Sequence, residues 1–156
     1  MDTDRLAFPS LAWFEALATQ AGAHRALFEH LGYVDCIARF VVTEVPGGPF
    51  AVDVTFDEFD ITAVEAADMA DTGRPDFTMT AGIADWQAML ESVSAGHGRP
   101  GLDQTLNYLT LTGTPFHISG EDSNRREAFL RYAQSMQELF NLSWHLRSVF
   151  PEPVEG

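Results

Sequence analysis

Residues 50–57 read Phe-Ala-Val-Asp-Val-Thr-Phe-Asp, which is the clearest strand pattern in this chain. Bulky apolar side chains occupy every second position, and small, polar or acidic residues alternate with them, as in a strand with one buried face. A turn signal, Pro-Gly-Gly-Pro at 46–49, comes directly before this segment. Because the same alternation runs through residues 33–45, the two segments are predicted to form a β-hairpin.

The rest of the chain divides between helical and strand spacing of its apolar residues. Working outward from the hairpin, the pattern predicts helices at 10–31, 83–93, 102–109 and 122–143, and strands at 59–64, 76–80 and 116–120. Ser10 is the expected cap of the first helical region, and Gly22 its expected interruption. This order is typical of an α+β fold, because a parallel α/β sheet would alternate strands with helices.

The amino-acid composition limits the kinds of protein to which this chain can belong. The chain has 156 residues, 46% of them hydrophobic, with twelve Phe, three Trp and three Tyr. A single domain with a buried core is expected at this length. The net charge is -14, with nine arginines and no lysine, so binding to nucleic acid or stable binding to an anionic membrane is not expected. The single cysteine excludes a disulfide within the chain.

The first ten residues show no basic start followed by an apolar stretch, and no apolar run approaches the length that spans a bilayer. A cytoplasmic protein is therefore expected. The replacement of lysine by arginine is typical of a GC-rich bacterial genome, which indicates a bacterial source.

Residue types that carry chemistry give no recognisable motif. No two of the five histidines stand at metal-binding spacing, and neither a nucleophile elbow nor a glycine-rich phosphate loop is present. The histidines are His24, His30, His97, His117 and His145. Cys36 is predicted to be a small buried hydrophobe. The sequence therefore predicts no catalytic residue, no metal site and no cofactor.

Eight acidic residues crowd the segment 53–76. They suggest either paired catalytic carboxylates or a calcium loop, but the spacing of an EF-hand is absent. Since Asp53 and Asp57 alternate with the apolar positions of a strand, a solvated acidic face is the favoured interpretation.

Several short motifs in order resemble the sterol-carrier-protein family of lipid-transfer domains. Residues 75–80, Pro-Asp-Phe-Thr-Met-Thr, resemble a strand of that family, and Asp-Trp and Met-Leu pairs follow within 85–90. The glycine-flanked segment 113–121 and the apolar residues of 129–132 resemble the family's last strand and terminal helix. The resemblance covers residues 10–143, which implies a tail before it and an apolar extension at 144–156.

The resemblance implies a five-stranded, mostly antiparallel sheet with helices on one face and an apolar tunnel between them. Such domains bind and carry apolar molecules and have no catalytic group of their own. Transferred position by position, the residues that would line the tunnel are Met79, Trp86, Met89, Leu90, Leu106, Phe116, Phe129, Tyr132, Met136 and Phe140. The segment 113–120 is one residue longer than the common form, and Pro115 stands where the strand would continue.

The small number of basic residues limits the classes of ligand that this resemblance implies. Acyl-coenzyme A and phospholipids require several cations, whereas the only local group of arginines here is Arg125, Arg126 and Arg131. Arg125 and Arg126 are the expected contacts for a ligand head group. A sterol-like, fatty-acid or aromatic ligand is therefore favoured.

Two other functions stay open. One is a small enzyme of the ketosteroid-isomerase type, which also encloses an apolar cavity but ends on long strands rather than on a helix. The other is an accessory subunit whose residues 142–150 dock a partner enzyme or a second copy of the chain. The same residues would alternatively act as a lid over the ligand.

Overall fold

The computed structural model describes residues 5–32, 34–111, 115–120 and 123–151, and of residues 123–126 and 128 it describes the backbone only. Its strands are β1 Arg5–Ala7, β2 Cys36–Thr43, β3 Phe50–Asp57, β4 Asp60–Ala66, β5 Phe77–Gly82, β6 His117–Ser119 and β7 Arg147–Val149. Its α-helices are α1 Leu11–Ala23, α2 Arg25–Leu31, α3 Ile83–Ala95, α4 Leu106–Leu109 and α5 Ser123–Asn141. None of the helices within those ranges is long and apolar enough to cross a bilayer.

The main sheet has five strands in the order β4-β3-β2-β5-β6. The β2–β3, β3–β4 and β5–β6 ladders are antiparallel, and only β2 and β5 run parallel. The predicted hairpin is present, with Val42 opposite Phe50 next to the turn. The α+β class and the mostly antiparallel five-stranded sheet are confirmed.

The N-terminal helical region is divided two residues later than predicted. Ser10 caps α1 as expected, because its Oγ accepts a hydrogen bond from the backbone N–H of Trp13 at 3.1 Å. The helix continues through Gly22 and ends at Ala23, and the backbone nitrogen of the C-cap residue His24 lies 3.1 Å from the carbonyl oxygens of Gln20 and Ala21. The His24 ring Nδ1 lies 2.9 Å from the Gln20 carbonyl. A separate helix, α2, then begins at Arg25.

The helices pack on one face of the sheet, where Phe40 of β2 lies at the centre. Its ring stacks on Phe14 of α1 with centroids 5.9 Å apart. It also meets Trp86 of α3 and Phe140 of α5 edge-on, at 6.2 and 5.1 Å. Three helices from distant parts of the chain therefore share one aromatic core with the central strand.

The two outer segments of the described chain form a second, two-stranded sheet that the sequence did not predict. Strands β1 and β7 are parallel, with Arg5 paired to Arg147. Trp13 Nε1 donates a hydrogen bond to Ser148 Oγ at 2.8 Å, and Phe8 is buried. The expected domain limits at 10 and 143 stay predictions, although the segments outside them contact each other and the core.

Candidate functional site

The residues predicted to line a tunnel meet between the sheet and the helices. Nine of the ten are buried within one continuous hydrophobic cluster, and Tyr132 packs against it half-buried. The nine are Met79, Trp86, Met89, Leu90, Leu106, Phe116, Phe129, Met136 and Phe140. The structure brings these side chains together as a packed core, and their role as the lining of a tunnel stays a prediction.

Trp86 connects this group to the sheet. Its ring centroid lies 4.8 Å from that of Phe116 and 5.4 Å from that of Phe140. Its Nε1–H donates to the backbone carbonyl of Val41 at 3.1 Å, so the polar atom of a fully buried indole is satisfied. Trp86 is therefore fixed in position, whereas neighbouring methionines such as Met136 have unbranched side chains that can adopt other rotamers.

An apolar groove of about 430 Å³ opens beside the two-stranded sheet. We call it the terminal groove, because residues 7–9 and 149–151 form two of its walls and the β2–β3 turn forms the third. The described residues that line it carry no charged or polar side chain: Ala7, Phe8, Pro9, Val45, Pro46, Gly48, Pro49, Phe50, Val149, Phe150 and Pro151. Its volume lies within the range of ordinary small-molecule sites.

A continuous row of rings joins the terminal groove to the buried group. Phe50 in the groove wall stacks on Phe14 at 6.0 Å, and Phe14 stacks on Phe40 at 5.9 Å. Phe40 in turn contacts Phe140, which is one of the predicted lining residues. The groove was not found from the sequence, because it depends on the pairing of the two chain ends.

The opposite face of the sheet carries a buried ion pair. Arg39 donates from Nε and Nη2 to the two carboxylate oxygens of Asp53 at 2.7 and 2.9 Å. Its Nη1 donates to the Asp71 carbonyl, and Arg74 also donates to Asp53. The hydrogen bond to Asp53 raises the pKa of the Arg39 guanidinium above its ordinary value, which favours the charged form that the ion pair requires.

The predicted solvated acidic face is therefore wrong at Asp53, which is only 1% exposed. Burial is tolerated there because Arg39 stands directly opposite on β2 and satisfies both carboxylate oxygens. The register of the hairpin was the signal that could have found this pair. Val42 lies opposite Phe50 next to the turn. Counting away from the turn along both strands therefore places Arg39 opposite Asp53.

The histidines form no catalytic or metal-binding arrangement in the part of the chain that the structure describes. His24 and His145 stack with ring centroids 5.3 Å apart, and Trp144 lies against His97 and His145. Within these residues, no three His, Cys, Asp or Glu side chains lie close enough together to hold a metal ion. His117 is exposed on β6, at the edge of the sheet, as expected.

Cys36 is buried on β2, as predicted. Burial, followed by the nearby charges of Asp76 and Asp35, raises the pKa of its thiol from 9.0 to about 12. The thiolate is the reactive form of cysteine, so this residue is inert in the folded protein at neutral pH.

We expect iodoacetamide to leave Cys36 unmodified in the native protein at pH 8 and to alkylate it rapidly in urea, as followed by intact mass. The unfolded thiol ionises at a lower pH than the folded thiol, so unfolding releases a proton between about pH 9 and 12. This group therefore lowers the stability of the fold as pH rises through that range. Equal alkylation rates in native and denaturing buffer would contradict the expectation.

The expected head-group contacts, Arg125 and Arg126, lie outside the residues whose side chains are described. Arg131, the third member of that group, is exposed on α5. The structure therefore leaves the assignment of a head-group site at this end of α5 as a prediction.

Comparison with known proteins finds the fold but no close relative. No family model and no curated protein matches the chain. A conserved hypothetical protein of Thermus thermophilus, for which a sterol carrier role has been suggested, matches with a TM-score of 0.63 and 20% identity over 88% of both chains. Sterol carrier protein 2 matches with a TM-score of 0.61 and 19% identity over 86% of this chain and 95% of its own. The protein has the sterol-carrier-protein fold.

Proposed function

We propose that this protein binds and carries an apolar small molecule without changing it chemically. The observation that supports the proposal is an apolar groove that leads, through contacting rings, to a buried apolar group within a sterol-carrier-protein fold. In this proposal the terminal groove is the opening of the site, and the core between the sheet and the helices receives the apolar part of the ligand.

A second row of rings supports this path. Phe150 in the groove wall contacts Phe8 at 5.7 Å, and Phe8 contacts Trp86 at 5.9 Å. Both rows therefore begin in the terminal groove and end among the residues predicted to line a tunnel.

The core must rearrange to admit a ligand, because its side chains are packed against one another. Methionine is suited to this, since its three rotatable bonds allow it to fill a space or to vacate it at little cost. Three methionines, Met79, Met89 and Met136, are fully buried in the cluster and come from one strand and two helices. We expect these side chains to move when the ligand enters.

The strength of binding follows from the apolar area that the ligand buries. Ten buried methylene groups contribute about 8 kcal/mol before the cost of association is subtracted. Micromolar affinity with ready release is therefore expected, as a carrier requires. The net charge of -14 disfavours acyl-coenzyme A and phospholipids, so sterol-like, fatty-acid or aromatic ligands fit best.

The structure weighs against the isomerase-type alternative. That fold ends on long strands, whereas residues 123–141 form the longest helix of the described chain. Within residues 142–150, which the docking alternative assigns to a partner, the strand Arg147–Val149 pairs with Arg5–Ala7 of the same chain. No observation favours either alternative over the carrier proposal.

The test uses two tryptophan substitutions on the same helix. Met136→Trp fills the proposed ligand space and should weaken the binding of a fluorescent fatty acid about tenfold or more. Leu130→Trp is the matched control, because Leu130 is 73% exposed on α5, and its affinity should equal that of the unsubstituted protein. Urea unfolding of both variants separates lost binding from the cost of overpacking, which is about 1–3 kcal/mol.

Native mass spectrometry of freshly purified protein gives an independent reading, since a carrier is expected to retain some of its ligand. If no apolar mass is retained and no member of a panel of sterols, fatty acids and aromatic compounds binds, the proposed function is wrong. Equal affinities of Met136→Trp and Leu130→Trp would place any binding elsewhere than in the core.

A further inference from the structure

The backbone of the terminal groove offers a ligand few hydrogen-bond donors. Proline has no backbone N–H, and four of the described lining residues are prolines: Pro9, Pro46, Pro49 and Pro151. The backbone N–H of Phe8 donates to the Val149 carbonyl at 2.8 Å, and that of Gly48 donates to the Val45 carbonyl at 3.2 Å. Since the described lining has no polar side chain either, a ligand oxygen that enters the groove finds few donors to replace water.

This shortage of donors limits which chemical groups the groove accepts. A carboxylate, sulfonate or phosphate requires several N–H groups or a cation, and leaving it unpaired in an apolar site is costly. The net charge of -14 adds repulsion. An extended polypeptide is disfavoured as well, because each of its residues carries backbone groups that need partners. Uncharged small molecules with few polar atoms are the remaining class.

Two partly exposed rings, Phe50 and Phe150, stand in different walls of the groove, and both rest on buried rings. Phe50 stacks on Phe14 with centroids 6.0 Å apart and an interplanar angle of 16°. Phe150 meets Phe8 edge-on at 5.7 Å, and Phe8 lies 6.1 Å from Phe14. The four rings therefore form one connected group, in which the two inner rings support the two outer ones.

We propose that the terminal groove prefers uncharged, planar compounds built of fused aromatic rings, which stack against Phe50 and Phe150. The inference rests on the proposed function and names the ligand class for that site. Aromatic pairs gain stability beyond the area that they bury, and they do so best in offset-stacked or edge-on geometry. A flat, rigid ligand also loses less conformational freedom on binding than a flexible chain does. Of the three ligand classes that the sequence favours, the groove therefore selects the aromatic one.

The first test compares two fluorescent probes that share their rings and differ in a sulfonate group, N-phenyl-1-naphthylamine and 8-anilino-1-naphthalenesulfonate. In fluorescence titrations the uncharged probe should bind about tenfold more tightly or better, because the groove leaves the sulfonate without a partner. Part of this preference should remain at high salt, since salt screens the surface charge but supplies no hydrogen-bond donor. Equal affinities, or tighter binding of the sulfonate, would overturn the inference.

The second test compares 2-naphthol with its saturated counterpart, decahydro-2-naphthol, as competitors that displace N-phenyl-1-naphthylamine. The two alcohols have the same carbon skeleton and are uncharged at neutral pH, but only 2-naphthol is flat and aromatic. It should bind about fivefold more tightly, which is the size of effect expected of one or two aromatic contacts. If the saturated alcohol competes equally well or better, the inference is overturned while the carrier function stands.

A matched pair of substitutions places this preference in the groove. Phe50→Leu removes a ring from the wall but keeps an apolar side chain, so the preference for 2-naphthol should disappear while decahydro-2-naphthol binds as before. Phe59→Leu is the control, because Phe59 lies outside the described lining, against Arg25, and it should keep the full preference. Phe150→Leu repeats the test on another wall of the groove, should Phe50→Leu fail to fold in a thermal unfolding measurement.

A folded Phe50→Leu or Phe150→Leu protein that keeps the full preference would overturn the inference, because the rings would then not contact the ligand. If none of the four compounds binds the unsubstituted protein, the result counts against the proposed function itself. Binding of all four with equal affinity leaves the carrier function standing and refutes only the ligand class.

Discussion

Replacing Arg39 by methionine should lower the free energy of unfolding by about 3 kcal/mol. The substitution keeps a side chain of similar length but removes the cation that pairs with Asp53. Both groups are almost completely buried, with side-chain exposures of 3% and 2%. Among the described residues, the carboxylate would keep Arg74 alone, whose side chain is 39% exposed, and the Asp71 carbonyl would lose this donor. A buried charge left with one weak partner is among the costly defects of a fold.

Urea unfolding followed by tryptophan fluorescence measures this loss, since urea, unlike guanidinium, does not screen the ion pair. The double variant Arg39→Met/Asp53→Leu should recover much of the stability, because an apolar pair of similar volume leaves no charge buried. Arg25→Met is the surface control, because Arg25 contacts Glu29 and Asp60 in exposed ion pairs, and it should show no measurable change. A single Arg39→Met variant as stable as the unsubstituted protein would contradict the prediction.

Replacing Trp86 by alanine should lower the free energy of unfolding by about 4 kcal/mol. The indole is fully buried among the rings of Phe8, Phe40, Phe116 and Phe140. Its removal leaves a large cavity and also deprives a buried carbonyl of its hydrogen-bond donor. A loss of this size is a large part of the 5–15 kcal/mol that holds an ordinary domain folded.

The control is Trp144→Ala, which removes the same side chain from a position that is 37% exposed and should cost about 1 kcal/mol or less. Thermal and urea unfolding give the two values. Under the carrier proposal the Trp86→Ala protein should also be stabilised more strongly by an apolar ligand than the unsubstituted protein is, because the new cavity enlarges the ligand space. Equal destabilisation by the two alanine substitutions would refute the central role given to Trp86.

The fold was largely readable from local patterns. The alternation around the turn at 46–49 predicted the β2–β3 hairpin, and the helical spacing of apolar residues predicted α1, α3 and α5. These elements succeed because each carries its own signal within ten to twenty residues. The sterol-carrier-protein fold, first suggested by short motifs in order, is confirmed by the solved structures that share it.

Features that depend on contacts between distant residues were missed. Strands β1 and β7 have only three residues each, too few for any period to be recognised, and they become strands only by pairing with each other. The burial of Asp53 was missed because an acidic residue between apolar ones indicates a solvated face unless its partner is known. The hairpin register supplies that partner, Arg39.

One part of the candidate site could be predicted from the sequence, and another part could not. Burial of nine predicted lining residues follows from their apolar character, so the sequence was sufficient to bring them together. The terminal groove was not predictable, because its walls come from both ends of the described chain and from the turn at 46–49.

The pairing of β1 with β7 also bears on the order in which the fold assembles. Almost the whole described chain lies between Arg5 and Arg147, so among the described strand pairings this one closes the longest loop. Loop closure of that length is entropically unfavourable until the rest of the structure has formed, and short strands add few bonds to offset it. We therefore expect this pair to form late in folding. The five-stranded sheet shares no strand with this pair, so the two sheets of the molecule differ in how much of the chain must be ordered before each can form.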